Sequence, residues 1–273
     1  MIELTGVTKQ YPDGTVAVEE FSAQFPPHRT TVLLGSSGCG KTTILRMVNR
    51  MVDATRGTIT IDGEDIARRD VVALRRSIGY VMQNAGLLPH RRVIDNIATV
   101  PLLNKVPKPE AHARAEALMD LVGLDRSLAR RYPHQLSGGQ QQRVGVARGL
   151  AADPNILLMD EPFGAVDPLV RRDLQAELLR IQSTLGKTIV FVTHDVDEAF
   201  TLGDQIIILA DRGRIAQRGT AAEILAHPAN DFVAGFVGLN RGDRTLHPAP
   251  DGSGVLTDAH GRAVGVLAPG STP

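Results

Sequence analysis

The sequence contains very little cysteine and no long apolar run. Cys39 is the only cysteine among the 273 residues, so no internal disulfide can form, which favours a reducing cytosol. No stretch of about 18 apolar residues occurs, and we expect no membrane-spanning helix. The first residues, which include the acidic Glu3, lack the basic and then apolar pattern of a secretory signal. Any role at a membrane would therefore depend on a partner.

The chain also lacks an excess of charge of either sign and any evident internal repeat. Its 30 basic and 30 acidic residues give a formal net charge of zero, which removes any global electrostatic argument for nucleic-acid binding. With 42% hydrophobic and 22% charged residues, the composition is typical of a chain with a packed core. The length suggests one large domain, with or without a small appendage.

The pattern of apolar residues predicts further elements along the chain. Strands are expected at 2–7, 16–18, 21–25, 255–257 and 263–267. Helices are expected at 107–122, 136–150 and 171–181, and two short helices at 220–238.

A glycine-rich segment at residues 35–42 matches the phosphate-loop pattern G-x-x-x-x-G-K-[ST] at every fixed position. The pattern predicts a strand at 30–34 before it and a helix at 43–48 after it. Glycines let successive backbone N–H groups turn toward phosphate oxygens, and the helix start adds the positive end of its dipole. We expect Lys41 to reach the β- and γ-phosphates of ATP and the Thr42 hydroxyl to hold Mg²⁺. The candidate nucleotide-binding residues here are Gly35, Ser36, Ser37, Gly38, Cys39, Gly40, Lys41, Thr42 and Thr43.

Two residues near this loop have open roles. The Cys39 thiol could be a target for reagents that block the site, or a small hydrophobic filler, and the filler role is favoured. Tyr11 begins the predicted turn at 11–14. Its ring could stack on an adenine base or simply pack at the surface, and the residues alone do not decide between these roles.

Charged side chains follow two predicted buried strands. The apolar run at 156–159 ends in Asp160 and Glu161, and the run at 188–193 is followed by His194. In a parallel sheet, ligands bind at the carboxyl ends of the strands. We expect Asp160 to bind Mg²⁺ directly or through water, and Glu161 to polarise the water that attacks the γ-phosphate. His194 would lie at the same edge and contact the γ-phosphate.

A second anion site is predicted where a helix opens at 136–140. Ser137 suits an N-cap, and Gly138 and Gly139 leave backbone N–H groups exposed at a positive helix end, followed by Gln140. The alternative is an ordinary capped helix start without a ligand.

Taken in order, the phosphate loop, Gln83, the segment 136–140, the Asp160-Glu161 pair and His194 resemble the motifs of ATP-binding cassette (ABC) proteins. The resemblance covers about residues 1–238, as an ABC ATPase domain. It implies an α/β fold, a P-loop NTPase with a RecA-like parallel-sheet core, an antiparallel β subdomain and a helical subdomain at about 84–155. Residues 239–273 would form a short tail that resembles a fragment of a CBS module, too short for a pair of such modules.

The resemblance also implies roles for individual residues. It places Tyr11 against the adenine ring, makes Gln83 a contact of Mg²⁺ and of the attacking water, and makes His194 a switch on the γ-phosphate. Gln83 would also sense a membrane partner.

Other roles implied by the resemblance require a second copy of the chain. Ser137, with Gly138, Gly139 and Gln140, would bind the γ-phosphate held by the opposite subunit, and Asp167 would belong to a loop that crosses between subunits. Two chains would then pair head to tail about a two-fold axis and enclose ATP between them.

Three segments resemble importer ATPases for quaternary amines such as glycine betaine, choline or carnitine: 83–90, 96–101 and 161–168. This resemblance implies transmembrane permease subunits as partners, a substrate-binding protein as an indirect partner, and no nucleic acid. The chain would then be peripheral, at the cytoplasmic face of the cell membrane.

Three alternatives stay open at this stage. The first is an importer ATPase for another solute, such as an amino acid or an oxyanion. The second is an ABC protein that acts on ribosomes or DNA, although such proteins resemble tandem cassettes or carry long coiled-coil insertions. The third is a small-molecule kinase, which would not need the segment 136–140.

Overall fold

A computed structural model describes residues 1–164, 166–239, 246–248, 255–257 and 263–266. The strands are β1 (Ile2–Gln10), β2 (Val16–Phe25), β3 (Thr30–Gly35), β4 (Arg56–Ile61), β5 (Glu64–Asp65), β6 (Ile78–Val81), β7 (Ile156–Asp160), β8 (Thr188–Thr193), β9 (Gln205–Leu209), β10 (Ile215–Gly219), β11 (His247–Pro248), β12 (Val255–Thr257) and β13 (Ala263–Val266). The helices are α1 (Lys41–Val48), α2 (Val71–Ser77), α3 (Val93–Ile97), α4 (Thr99–Leu103), α5 (Lys108–Leu121), α6 (Gly138–Leu150), α7 (Pro168–Leu185), α8 (Val196–Leu202), α9 (Ala221–Ala226) and α10 (Asp231–Phe236).

The central sheet has the strand order β10-β9-β3-β8-β7-β6. The strands from β9 to β6 are parallel, and β10 pairs with β9 in the antiparallel direction as a hairpin. Every residue of β3, β7 and β8 is buried, which is why these strands read in sequence as nearly continuous apolar runs. Their carboxyl ends meet at one edge, and the candidate site lies there.

Alternate side chains of the central sheet enter two different cores. Val32 and Leu34 of β3 pack with the side of the molecule that contains α6 and α7. Leu33 faces the other way and packs with β1, β2 and α1. This alternation follows from the two-residue repeat of a strand, and it fixes the phosphate loop between two packed layers.

A separate antiparallel sheet covers the second core, with the order β2-β1-β4-β5. The predicted strand at 2–7 is confirmed and extends to Gln10. The predicted strands at 16–18 and 21–25 form one continuous strand, β2, that contains Glu20 in the left-handed region (φ 48). The predicted turn at 11–14 is also confirmed, since Gly14 N donates to the Tyr11 carbonyl at 3.0 Å.

The region at 84–155 contains α3, α4, α5 and α6. The predicted helix at 107–122 is confirmed as α5, and Ala111, Ala115 and Met119 are buried on one face as expected. The predicted helices at 136–150, 171–181 and 220–238 are likewise found, the last as α9 and α10. The division into domains itself stays a prediction. In the described part of the chain, no helix has both the length and the apolar character needed to cross a bilayer.

The tail contains a small antiparallel sheet of β11, β12 and β13. The strands expected at 255–257 and 263–267 correspond to β12 and β13, whereas β11 was not predicted. The segments 251–252 and 258–261, which flank the first of these strands in sequence, lie outside the described residues. The likeness of this tail to part of a CBS module stays a prediction.

Candidate active site

The loop between β3 and α1 adopts the strained backbone that its glycines permit. Gly40 has φ 107, and a Cβ there would lie 2.6 Å from the carbonyl oxygen of Ala17, so only glycine fits. Ser36, Ser37 and Gly38 are exposed at the mouth of the loop, and Thr43 is half-buried in the first turn of α1. The loop therefore presents its backbone to solvent directly before a helix N-terminus, as a phosphate site requires.

The Lys41 side chain places a positive charge inside this loop. Its side chain is buried, and Nζ donates to the carbonyl oxygens of Gly35 at 2.7 Å and Ser36 at 2.8 Å. Both acceptors are neutral, so a phosphate oxygen would be a stronger partner for the ammonium group. Lys41 is thus placed to exchange carbonyl partners for a phosphate.

Cys39 turns its side chain away from the loop mouth. It is 1% exposed and packs in the core beneath β1 and β2. Burial raises the pKa of its thiol, against the smaller opposing effect of Lys41. Only the main chain of Cys39 can serve a ligand, which agrees with the predicted filler role of the side chain.

Thr42 and Asp160 come together at the sheet edge. The Thr42 hydroxyl donates to Oδ1 of Asp160 at 2.7 Å, and Asp160 is almost fully buried. A hydroxyl and one carboxylate form a donor set that suits Mg²⁺, which keeps several waters and takes further oxygens from substrate phosphates. No group of three or more His, Cys, Asp or Glu side chains that could hold a metal occurs in the described residues. The Thr42 hydroxyl and the Asp160 carboxylate thus fit a metal ion that is shared with a bound phosphate.

Two neighbours of Asp160 were missed in the sequence. The Tyr80 hydroxyl donates to Oδ2 of Asp160 at 3.2 Å, and Arg46 Nη2 lies 3.9 Å from the same oxygen. Burial, and then the Asp160 charge, raise the pKa of Tyr80 to about 12, so Tyr80 stays a neutral donor. Arg46 lies four residues after Thr42, on the same face of α1, and this spacing could have identified it. Nothing local in the sequence points to Tyr80.

Glu161 and His194 form the second part of the edge. Glu161 adopts a left-handed backbone conformation directly after β7, with φ 45, while its N–H still donates to the Val192 carbonyl of β8 at 2.9 Å. Its Oε2 lies 3.1 Å from Nδ1 of His194. Since an ionised carboxylate only accepts hydrogen bonds, Nδ1 carries the proton and Nε2 is left for another partner.

Gln83 also approaches this edge. Its side chain is exposed, and a Cβ on Gly164 would lie 3.5 Å from Gln83 Nε2 and 4.0 Å from Glu161 Oε2. The amide and the carboxylate therefore flank the same small space beside Gly164. This placement agrees with the predicted water contact, and a metal contact of Gln83 stays a prediction.

The helix start at Ser137 has the capped geometry that the sequence predicts. Gln140 N donates to Ser137 Oγ at 3.3 Å, and Ser137 N donates to Gln140 Oε1 at 3.0 Å, which is a capping box. The Gln140 side chain is thus already engaged, whereas Ser137 and Gly138 are exposed. In the described residues, no hydrogen bond joins Ser137 to the phosphate loop of the same chain, so this site and the loop are separate features.

Tyr11 and Asp167 are the two remaining predicted site residues, and Tyr11 is half-buried directly after β1. Lys9 Nζ lies 5.2 Å from the centre of the Tyr11 ring. Asp167 is the exposed N-cap of α7 and accepts from Val170 N at 3.1 Å. A contact of Tyr11 with adenine and of Asp167 with a second subunit stay predictions, and the neighbouring Ala165 lies outside the described residues.

Comparisons with known proteins agree with this geometry. A family model described as "ABC transporter" matches residues 18–164. The chain is 50% identical to the glycine betaine/carnitine/choline transport ATP-binding protein OpuCA of Bacillus subtilis over 92% of this chain and 65% of that protein. It is 49% identical to the choline transport ATP-binding protein OpuBA of the same organism, over 88% and 63% of the two chains.

Coverage of these two relatives is below two thirds of their length, but others are covered further. The glycine betaine uptake system ATP-binding protein YehX of Escherichia coli is 50% identical over 87% of this chain and 77% of its own length. Among solved structures, the dimeric ABC transporter cassette MJ0796 superposes with a TM-score of 0.74 at 33% identity, over 81% of this chain and 98% of that chain. A post-hydrolysis dimer of MJ0796 bound to ADP and Pi gives the same TM-score.

Proposed function

Since this chain belongs to the ABC transporter family, we propose that it is the ATP-hydrolysing subunit of an importer for a quaternary amine of the glycine betaine, choline or carnitine type. The observation that carries the proposal is the Thr42–Asp160 hydrogen bond, which joins the phosphate loop to the strand end from which Glu161 extends.

ATP is bound by the phosphate loop and α1. Backbone N–H groups of the loop bind the phosphates, and Lys41 Nζ moves from the Gly35 and Ser36 carbonyls to phosphate oxygens. Thr42 and Asp160, with Gln83, would hold Mg²⁺, which neutralises charge that develops on the phosphate oxygens. Tyr80 and Arg46 hold the Asp160 carboxylate in one orientation while the site is loaded.

Hydrolysis needs a base beside the γ-phosphate, and Glu161 supplies it. Its carboxylate takes a proton from water as the water oxygen bonds to phosphorus and the bond to the ADP oxygen breaks. His194 donates through Nδ1 to Glu161 Oε2 and fixes the carboxylate. The other ring nitrogen, Nε2, then faces the departing phosphate.

Two copies of the chain are needed for the full site. The exposed helix start at Ser137 and Gly138 is a second phosphate-binding feature that forms no hydrogen bond with its own phosphate loop. A head-to-tail pair places each Ser137 at the partner's ATP, and the dimeric solved relative supports this arrangement. Release of phosphate removes the bridging charge and lets the pair open.

The transported solute is inferred from the relatives, whose names specify glycine betaine, carnitine and choline. Permease subunits in the membrane would bind near Gln83 and the loop to His90, and a substrate-binding protein would deliver the solute. The chain itself would lie at the cytoplasmic face.

Uptake tests this proposal directly. Cells that lack the chain should lose uptake of labelled glycine betaine, choline or carnitine under hypertonic stress, and the parent chain but not Glu161→Gln should restore it. Restored uptake of only an amino acid or an oxyanion would reject the quaternary-amine assignment. A purified chain with its permease that shows no Mg²⁺-dependent ATP hydrolysis would reject the enzymatic one.

A further inference from the structure

The loop at 82–86, which contains Gln83, rests on one face of α6. Gln142, Gly145 and Arg148 form this face, which we name the α6 seat, and they are spaced three residues apart along the helix. Each contacts the loop backbone or the buried Ala85. By contrast, the Gln83 side chain makes no hydrogen bond in the described residues, so its direction depends on how the backbone is held.

Arg148 makes the strongest contacts of the α6 seat. Nη1 donates to the Gly86 carbonyl at 2.7 Å, and Nη2 donates to the Ala85 carbonyl. No carboxylate in the described part of the chain pairs with this guanidinium, and burial lowers its pKa. A half-buried cation whose partners are two loop carbonyls is costly to keep, which points to a role in holding those carbonyls in place.

The backbone that Arg148 holds is strained. Ala85 has φ 48 and Gly86 has φ 57, and Ala85 is 2% exposed. An alanine rarely adopts the left-handed region unless its surroundings enforce it. Gly145 faces this residue closely, because a Cβ there would lie in ordinary van der Waals contact with Ala85 Cβ, at 3.4 Å.

Gln142 holds the other end of the turn, since its Nε2 donates to the Met82 carbonyl at 3.3 Å. Met82, directly before Gln83, and Ala85 and Gly86, shortly after it, are therefore all hydrogen-bonded to α6. This helix begins directly after Ser137. The far end of the longer loop is held separately by Asn96, which bonds to the backbone of Leu88, Arg91 and Arg92.

We propose that Arg148 is a positioning residue, because its two hydrogen bonds to the Ala85 and Gly86 carbonyls hold the turn that sets the direction of the Gln83 side chain. This inference rests on the proposed function, in which Gln83 lies beside Glu161 and contacts the attacking water. Without Arg148 the strained turn relaxes, and Gln83 no longer points into the space beside Gly164.

The chain offers a matched control for Arg148. Arg143 lies on the same helix and also donates to a carbonyl, that of Val122 at 2.6 Å. Val122 comes directly after α5 and is not part of the loop that contains Gln83. Arg148→Met should lower kcat about tenfold or more while the Kd for ATP measured without Mg²⁺ stays within about twofold. Arg143→Met should leave kcat within about twofold, and Arg148→Lys, which keeps a cationic donor, should restore part of the loss.

A double-mutant cycle separates positioning from a general structural effect. If Arg148 acts through Gln83, Arg148→Met should lower kcat by less than about twofold in a Gln83→Ala background. The inference would be overturned if the two losses in kcat were fully additive, or if Arg148→Met and Arg143→Met had equal kcat. Neither outcome would affect the proposed function, as long as the parent chain hydrolyses ATP.

A spectroscopic readout decides the anchoring without turnover. The chain has no tryptophan, so Asn84→Trp places a single reporter beside Gln83. Its quenching by acrylamide should rise when Arg148→Met is added and stay unchanged with Arg143→Met. Equal quenching in all three proteins would contradict the anchoring, even for a preparation that hydrolyses no ATP.

Discussion

The Thr42 hydroxyl donates a hydrogen bond of 2.7 Å to the Asp160 carboxylate across 118 positions of sequence. This bond is a tertiary contact, because Thr42 lies in α1 and Asp160 is the last residue of β7. The bond therefore holds the phosphate loop against the carboxyl end of β7. A cation bound by both oxygens would replace the Thr42 hydroxyl proton that now lies between them.

Glu161→Gln should separate binding from chemistry. The amide keeps the shape of the side chain but cannot accept the proton of water, so kcat should fall by about 100-fold or more. Labelled ATP should still bind, and the pair should stay closed in sedimentation with Mg-ATP. Glu110→Gln, at an exposed site on α5, is the control, and turnover equal to the parent would remove Glu161 from its role.

Lys41→Ala should weaken nucleotide binding. The variant loses a charge-assisted contact to phosphate and leaves the Gly35 and Ser36 carbonyls without their donor, so affinity for labelled ATP should fall by about 10- to 100-fold. Lys108→Ala, an exposed change in α5, should bind like the parent. Unchanged affinity in Lys41→Ala would contradict the assignment.

The two glycines after Ser137 should respond differently to alanine. A Cβ on Gly139 would lie 2.6 Å from Val170 Cγ1, whereas nothing lies within 4 Å of a Cβ on Gly138. Gly139→Ala should lower the free energy of unfolding by about 1–3 kcal/mol, and Gly138→Ala should change it by no more than about 1 kcal/mol. Urea denaturation measures both, and equal losses would show that α6 does not pack on α7 as described.

Cys39 should react slowly with thiol reagents in the native state. It is buried and its thiol pKa is raised, so a chromogenic disulfide reagent at neutral pH should label it at least about tenfold more slowly than in urea. Because the chain has one cysteine, the rate reports this site alone. Rapid native labelling would favour the other role, that of a reagent-accessible thiol in the phosphate loop.

Glu198 should make stability depend on pH. It is buried near His194, it accepts from Thr193 Oγ1 at 2.6 Å, and burial, as the largest cause, raises its pKa. The folded state then keeps this proton above pH 4.5, the ordinary value. The free energy of unfolding of the parent relative to Glu198→Gln should therefore fall as the pH rises from 4.5 through the raised pKa.

Glu223 provides a control of opposite sign for that measurement. Its hydrogen bonds with Thr220 lower its pKa, so its contribution to stability is lost as the pH falls below 4.5. Glutamine also keeps the capping box at this position, so Glu223→Gln changes only the charge. Urea denaturation at several pH values measures the free energy of unfolding of the parent minus that of each variant. This difference should change with pH in opposite directions for Glu198→Gln and Glu223→Gln, and a change in the same direction would contradict both assignments.

The parts of the site that the sequence predicts are those set by local geometry. A glycine pattern between a strand and a helix fixes the phosphate loop, and a buried strand followed by Asp160 and Glu161 fixes the acidic edge. Tyr80 could not be found in this way, because its contact with Asp160 depends on the pairing of β6 with β7. Such pairing joins residues far apart in sequence and leaves no local pattern.

The same limit explains the α6 seat and the short elements. Gln142, Gly145 and Arg148 are visible in sequence as one helical face, but nothing in their spacing says which loop they hold. The strand β5 has two residues and α4 has five, including Pro101, so neither carries enough periodicity to be recognised. Gly139 reads as a ligand glycine in sequence, and only the approach of Val170 reveals its second role in packing.

The order of the central sheet has one more consequence. Because β8 lies between β3 and β7, the two strands that lead to Thr42 and Asp160 are separated by two interstrand steps, about 10 Å. The carboxyl end of β8 lies in that gap, and His194 follows it directly in sequence. A triphosphate laid over the gap would thus span three strand ends at once. A one-residue slip of β8 would misplace His194 and would also break the hydrogen bond from Glu161 N to the Val192 carbonyl.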